Sequence, residues 1–479
     1  MKKFVHASIK VLLFIIAITL IIIALGYGRM LLSETTQGDV AWRSCYRPTY
    51  WSWFSIPPSP QLQCANIDVP LNDTSNQTIT LALTRLPSTH EHAKELLLIN
   101  GGPGGHSLDM ADWLSDDEYT QALKDNFHIL GIAQRGVRPS TAMNCGNLTE
   151  EEGAKAYVDA CIKHSGLDFI KSIDTLSAVK DLDFIRHKLN IDTWSMLGYS
   201  YGTKVVALYA QAYPKRLRAG VLDAVVDTKE DLFTMWANQQ SQAQFAFDRF
   251  IVHCQQDERC IFAKSDDQNR KFLTTLHELS AQKFTDKNND AINERTLLAL
   301  FEDNLGEPMM WRELNEMFDE LKQGKTDKYN ELLFIKEFGE KDFTQDAFIA
   351  INCADSAPKV RQDYLDKSRH VDKIATYNDI KQTTDELLDA CYYWPFDGTD
   401  DLTMQAVADV PTLLFVAQKH DLATPFHNAK NMAARFRGHL IYTPNFGHTI
   451  SLSAMNACID QAVVDYLVAL KKPDRMMCE

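Results

Sequence analysis

Trp194-Ser195-Met196-Leu197-Gly198-Tyr199-Ser200-Tyr201-Gly202 opens as a short apolar run and closes as a G-x-S-x-G pentapeptide. The run has the length and composition of a buried central strand. The next stretch, residues 202–213, is helical by composition and stops at Pro214. The pentapeptide alone is a modest signal, since ordinary glycine usage yields one by chance in roughly every six or seven chains this long. Its place between strand and helix is the stronger one. A chain turning sharply from strand into helix strains the middle residue, and side chains two positions either way collide unless both are glycine. Ser200 then projects at a helix N-terminus, whose amides favour developing negative charge. It is the expected nucleophile.

Residues 79–87 (ITLALTRLP) alternate as a strand that stops at its proline. Residues 95–100 (ELLLIN), 127–133 (FHILGIA) and 219–226 (AGVLDAVV) read as buried strands, and 176–189 has helical spacing. Residues 42–60 show no helical period and read as an ordered loop. Short buried strands alternating with helices imply a mostly parallel sheet with helices on both faces. From about 228 to 341 the chain becomes charged and helix-rich, with 311–321 (WRELNEMFDEL) strongly amphipathic. Strand character resumes at 411–417 (PTLLFVA) and 439–443 (HLIYT), before a last helix at 454–470. The expected division is a leader at 1–29, the first part of an α/β core at 30–227, a helical cap insertion and return segment at 228–400, and the rest of the core at 401–479.

A serine hydroxyl needs a histidine to take its proton and an acid to fix the imidazole tautomer. On a strand–elbow–helix scaffold the chain order is serine, acid, histidine, each on a loop after a strand. Asp421 stands in 418–425 (QKHDLATP) and His448 in 445–448 (NFGH), each just beyond an expected strand. They are the expected acid and base. His420 is the alternative base and reads as a surface residue. The loop Asn100-Gly101-Gly102-Pro103-Gly104-Gly105 comes after an earlier strand and lacks both the G-x-G-x-x-G and G-K-[ST] patterns of phosphate loops. The backbone N–H groups of Gly102 and Tyr201 are therefore the expected oxyanion donors. No cofactor or metal is expected, because no Cys/His cluster has ligand spacing.

The formal net charge of −15 leaves no basic surplus to neutralise phosphates, which excludes nucleic acid as a partner. Lys2, Lys3 and Lys10 precede an uncharged run at 11–28 that Arg29 closes. The run is long enough to cross a bilayer and exceeds the usual apolar core of a cleaved signal. Cations in front of it keep the N-terminus cytoplasmic and export the rest of the chain. It reads as an uncleaved membrane anchor facing the protein to the periplasm or the outside; cleavage near 24–26 (ALG), giving a secreted protein, is the alternative. The ten cysteines fall into neighbours: Cys45 and Cys64, Cys145 and Cys161, Cys254 and Cys260, Cys353 and Cys391, Cys458 and Cys478. Export makes them candidate disulfides, with pairing between neighbours as the hypothesis.

With these residues in hand, the sequence from about 42 to 478 resembles the tripeptidyl aminopeptidase and proline iminopeptidase group of α/β-hydrolases. The glycine loop resembles the group's GGPG motif, and Gln134-Arg135-Gly136 its RG turn. Ile351-Asn352-Cys353-Ala354-Asp355 is similar to its cysteine-and-acid signature. The block from Pro411, with D-x-x-TP, a GH near the end and Cys458 and Cys478 flanking the last helix, resembles the C-terminal domain of secreted tripeptidyl aminopeptidases. The resemblance implies an α/β-hydrolase fold with a helical cap over the active site. It also implies cleavage at peptide N-termini, with the free amine held by acidic groups, for which Glu302, Asp303 and Glu307 are candidates. Asn100 and Arg138 depart from the group, which usually has histidine and a second glycine there. Asp355 is expected to be a structural acid paired with a cation. The expected function is an exported serine aminopeptidase acting on short peptides through an acyl-enzyme. An esterase or lipase on the same triad is the alternative, and a non-catalytic tethered binding protein the third reading.

Overall fold

The computed structural model describes residues 34–45, 59, 61–114, 120–148, 153–262, 265–340, 342–356, 359–380, 382–398 and 409–479. The expected anchor lies outside them. Among the described residues no helix is long and apolar enough to cross a membrane.

The strands are β1 (Thr35–Gln37), β2 (Val40–Ser44), β3 (Gln63–Pro70), β4 (Thr78–Leu86), β5 (Lys94–Ile99), β6 (Phe127–Ile132), β7 (Trp194–Tyr199), β8 (Leu217–Asp223), β9 (Leu414–His420) and β10 (His439–Phe446). They form one sheet in the order β1-β2-β3-β4-β6-β5-β7-β8-β9-β10. The β1-to-β4 end and the β4–β6 seam are antiparallel; every pairing from β6 to β10 is parallel. The central strands have apolar side chains on both faces, as a doubly covered sheet requires. Leu97, Ile99 and Met196 enter one core, whereas Leu96, Leu98, Leu197 and Tyr199 enter the other. The alternation of β5 and β7 thus builds both layers.

Two expectations change. The segment beginning at Trp42 is partly strand: Trp42 lies in β2, fully buried, with the Arg85 guanidinium 4.6 Å from its ring centroid. The strand expected at 219–226 instead ends at Asp223, because Ala224 takes φ 59° and leaves the extended region.

The insertion has its own core. Helices Leu232–Cys254, Gln268–Ser280, Glu294–Leu305, Trp311–Lys322 and Asp327–Glu340 close around buried Phe247, Phe250, Phe272, Phe301 and Phe318. Each such ring contributes roughly 1.5–3 kcal/mol by leaving water. Helix Gln345–Ala354 then returns to the main core through Ala347, Ile351 and Cys353, beside Cys391 and Trp394. All five neighbouring cysteine pairs are disulfides, from Cys45–Cys64 to Cys458–Cys478. Five such bonds suit an oxidising compartment outside the cytoplasm.

Candidate active site

Ser200 sits between β7 and helix Tyr201–Ala212 at φ 53°, ψ −122°, a strained backbone for a residue with a side chain. The packing explains the flanking glycines. A Cβ on Gly198 would lie 2.4 Å from the carbonyl oxygen of Gly202, and one on Gly202 would lie 2.3 Å from that of Ile99. The N–H of Ser200 donates to the carbonyl of Asp223 at 2.9 Å, which fastens the elbow to the end of β8.

The glycine loop lies against Ser200, since a Cβ on Gly101 would be 2.6 Å from Cβ of Ser200. Asn100 shapes this loop. Its Oδ1 accepts the N–H of Gly101 at 2.8 Å and its Nδ2 donates to the carbonyl of His106 at 2.9 Å. Among the described residues, the N–H groups of Gly102 and Tyr201 donate to no protein acceptor, so both remain open to a ligand oxygen. The insertion covers the loop from above: the Thr344 N–H donates to the Gly104 carbonyl at 3.0 Å, and a Cβ on Gly102 would meet Phe343 at 2.9 Å. Arg138 explains its departure from the related pattern here. Its N–H donates to Thr344 Oγ1 at 3.0 Å and its guanidinium to the Phe343 carbonyl at 3.2 Å.

Asp421 comes directly after β9 and is 1% exposed. Its carboxylate accepts the N–H groups of Ala423 and Thr424, both at 2.9 Å, and the Thr424 hydroxyl at 2.8 Å. That closed turn is the physical content of D-x-x-T. The remaining face of the carboxylate meets His448 Nδ1, 2.9 Å from Oδ2 and 3.0 Å from Oδ1. Burial pushes the His448 pKa down, but the charge and hydrogen bond of Asp421, with Asp223 and Glu307 beyond, outweigh it and the net shift is upward.

The structure brings Asp421 and His448 together and ties the Ser200 elbow to the loop after His448 through Asp223. The oxygen Asp223 Oδ2 accepts the N–H groups of Ile450 and Ser451 at 2.8 and 2.6 Å, so one residue holds both the elbow and the histidine loop. Among the described residues no hydrogen bond joins Ser200 Oγ to the His448 ring; such contacts are often long without substrate. His420 is not the surface residue expected. Its ring is partly buried, stacked 5.1 Å from Phe245 and tilted against Phe446 at 4.7 Å, because the insertion helix Leu232–Cys254 crosses the acid loop. Gln239 of that helix donates to the Ala423 carbonyl at 2.9 Å.

The three acidic candidates separate. Glu302 accepts from the Tyr377 hydroxyl at 2.8 Å and from Asn378 at 3.0 Å, in the wall of a cavity of about 350 Å³. Asp303 pairs with Lys336 at 2.7 Å. Of the three, Glu307 lies against His448: burial raises its pKa, while the backbone N–H and the charge of His448 draw it back. Asp355 accepts the N–H of Thr175 at 2.9 Å and pairs with Lys204 at 2.8 Å; Thr175 Oγ1 in turn meets the Tyr201 hydroxyl at 2.8 Å. Arg135 of the RG turn is structural, with both ends of its guanidinium 2.6 Å from the buried Asp181 carboxylate. Sequence reading missed Asp223, Phe343 and Thr344; for Asp223 the signal was a lone carboxylate in the apolar stretch 219–226 (AGVLDAVV).

Residues 377–478 match the family model described as TAP-like protein. The chain is 29% identical to the protein YuaR of Escherichia coli (strain K12), over 95% of each. It is 27% identical to the serine protease Hip1 of Mycobacterium tuberculosis (strain ATCC 25618 / H37Rv), over 93% of this chain and 92% of that one. It is 22% identical to the tripeptidyl aminopeptidase of Streptomyces lividans, over 91% of this chain and 86% of that one. Sheet, elbow and relatives together make this chain a serine hydrolase on the α/β-hydrolase fold, similar to the serine protease Hip1 and to a tripeptidyl aminopeptidase.

Proposed function

We propose that the chain is an exported serine aminopeptidase that removes N-terminal residues or tripeptides from short peptides, with Ser200, His448 and Asp421 as its triad. The observation that carries this reading is the contact of a buried Asp421 carboxylate with His448 Nδ1, on loops fastened to the Ser200 elbow. It leaves Nε2 as the ring nitrogen free to act on the serine.

In the proposed reaction His448 Nε2 takes the Ser200 proton as Oγ bonds to the scissile carbonyl carbon. The oxygen becomes negative and is received by the N–H groups of Gly102 and Tyr201. The imidazolium then gives its proton to the departing amine and the C–N bond breaks, leaving an acyl-serine. Water, deprotonated by the same imidazole, releases the acid and restores the serine. The insertion over the glycine loop limits access and favours small peptides over folded proteins. Glu302 and Asp303 are held by Tyr377, Asn378 and Lys336, whereas Glu307 lies against His448, so Glu307 is the acid we assign to the substrate ammonium.

The test is turnover of matched peptides with free and acetylated amines, alongside ester reporters, with product masses read directly. Release from free-amine peptides only, with KM raised for Glu307→Gln, is the expected result. Indifference to the amine with rapid ester turnover supports the esterase alternative instead. For location, a carbonate wash of membranes decides whether residues 11–28 anchor the protein.

A further inference from the structure

Every residue of β8 from Ala219 to Leu222 is apolar or glycine, yet the strand ends on a carboxylate with no exposed surface, Asp223. Burial raises its pKa, and the N–H groups of Ile450 and Ser451, the Ser451 hydroxyl nearby and the charge of His448 act against that rise. Only Oδ2 is used by those N–H groups; Oδ1 has no hydrogen-bond partner among the described residues. A buried, half-satisfied carboxylate is costly. An asparagine would serve both N–H groups equally well and bring no charge with it. The loop contacts alone therefore leave the charge unexplained.

The charge has a neighbour. The groups bearing on the His448 ring are Asp421, bonded to Nδ1, then Asp223 from β8 and Glu307 from the insertion. Asp223 also reaches the nucleophile through its own carbonyl, which accepts the Ser200 N–H at 2.9 Å. Beside it the Tyr199 hydroxyl donates to the Ser451 carbonyl at 3.1 Å, a second tie between elbow strand and histidine loop.

We infer that Asp223 is a second positioning carboxylate: it locks the Ser200 elbow to the His448 loop and steadies the imidazolium formed when His448 takes the serine proton. The inference rests on the triad proposed above. Asp223 exchanges no proton in the reaction; the proton moves from Ser200 Oγ to His448 Nε2 and on to the leaving amine.

The test compares Asp223→Asn with wild type in the full chain. Asparagine keeps the acceptor for Ile450 and Ser451 but removes the charge, so melting temperature and circular dichroism stay close to wild type. The kcat falls roughly tenfold to a hundredfold with KM nearly unchanged. The acid limb of kcat/KM moves to lower pH, because losing a nearby negative charge favours neutral imidazole. An Asn variant with wild-type kcat and an unmoved limb overturns the inference, since a purely structural residue behaves that way. Should the Asn variant not fold, Asp223→Glu decides: it keeps the charge and displaces the clamp, so kcat falls while the limb stays, and wild-type kcat contradicts the proposal. Ser200→Ala is run in parallel. If it remains active the triad itself fails; if it is inactive while Asp223→Asn is unchanged, only the role of Asp223 is lost.

Discussion

The carboxylate of Asp421 meets Nδ1 of His448 with both of its oxygens, at 2.9 and 3.0 Å. A bidentate approach to a single N–H fixes the tautomer as well as the ring plane. Asp421→Asn keeps the turn shape but presents an amide to the ring, and kcat is expected to fall on the order of 10³- to 10⁴-fold with little change in KM. Steady-state kinetics on a free-amine peptide checks this, with the melting temperature as the control for folding.

The same pair sets the pH dependence. A general base works only when neutral, and the His448 pKa is held above the ordinary 6.5 by Asp421. Activity should therefore rise with pH, and the midpoint of the acid limb of kcat/KM should lie above the ordinary histidine value. A limb below that value contradicts the assignment of His448 as base.

Asn100 is expected to matter through shape rather than contact with substrate. Asn100→Ala removes its bonds to the Gly101 N–H and the His106 carbonyl, which define the glycine loop. Loss of loop order should lower kcat about tenfold to a hundredfold, with affinity for a product analogue retained. Equal kcat in the two proteins removes the loop from the mechanism.

Much of the site was legible because its parts lie at the ends of apolar runs. The strands before Ser200, Asp421 and His448 are short and largely apolar, so their ends are visible in the sequence. The D-x-x-T turn was visible too, since all its bonds are local. β3 was missed although Ala65, Ile67 and Val69 alternate as buried residues, because the residues between them are polar and the run scores weakly. Contacts such as Arg138 with Thr344, separated by 206 positions, depend on how the insertion lands on the core. No local pattern encodes that landing.

The buried pair Arg135–Asp181 makes a stability prediction separate from chemistry. Both side chains are within 5% of full burial, and the guanidinium also donates to the Leu71 and Ser172 carbonyls. Asp181→Ala leaves that cation buried without its partner and should cost roughly 3–5 kcal/mol. Urea unfolding measures the difference; a loss below about 1 kcal/mol, the size of an exposed pair, contradicts the structure there.

The most direct test of the proposed triad is the mass of the enzyme after reaction with a fluorophosphonate probe, coupled to peptide mapping. One adduct per chain, on Ser200, with loss of peptidase activity and no labelling of Ser200→Ala, is the expected result. An adduct on another residue, or full turnover by a protein labelled at Ser200, contradicts it.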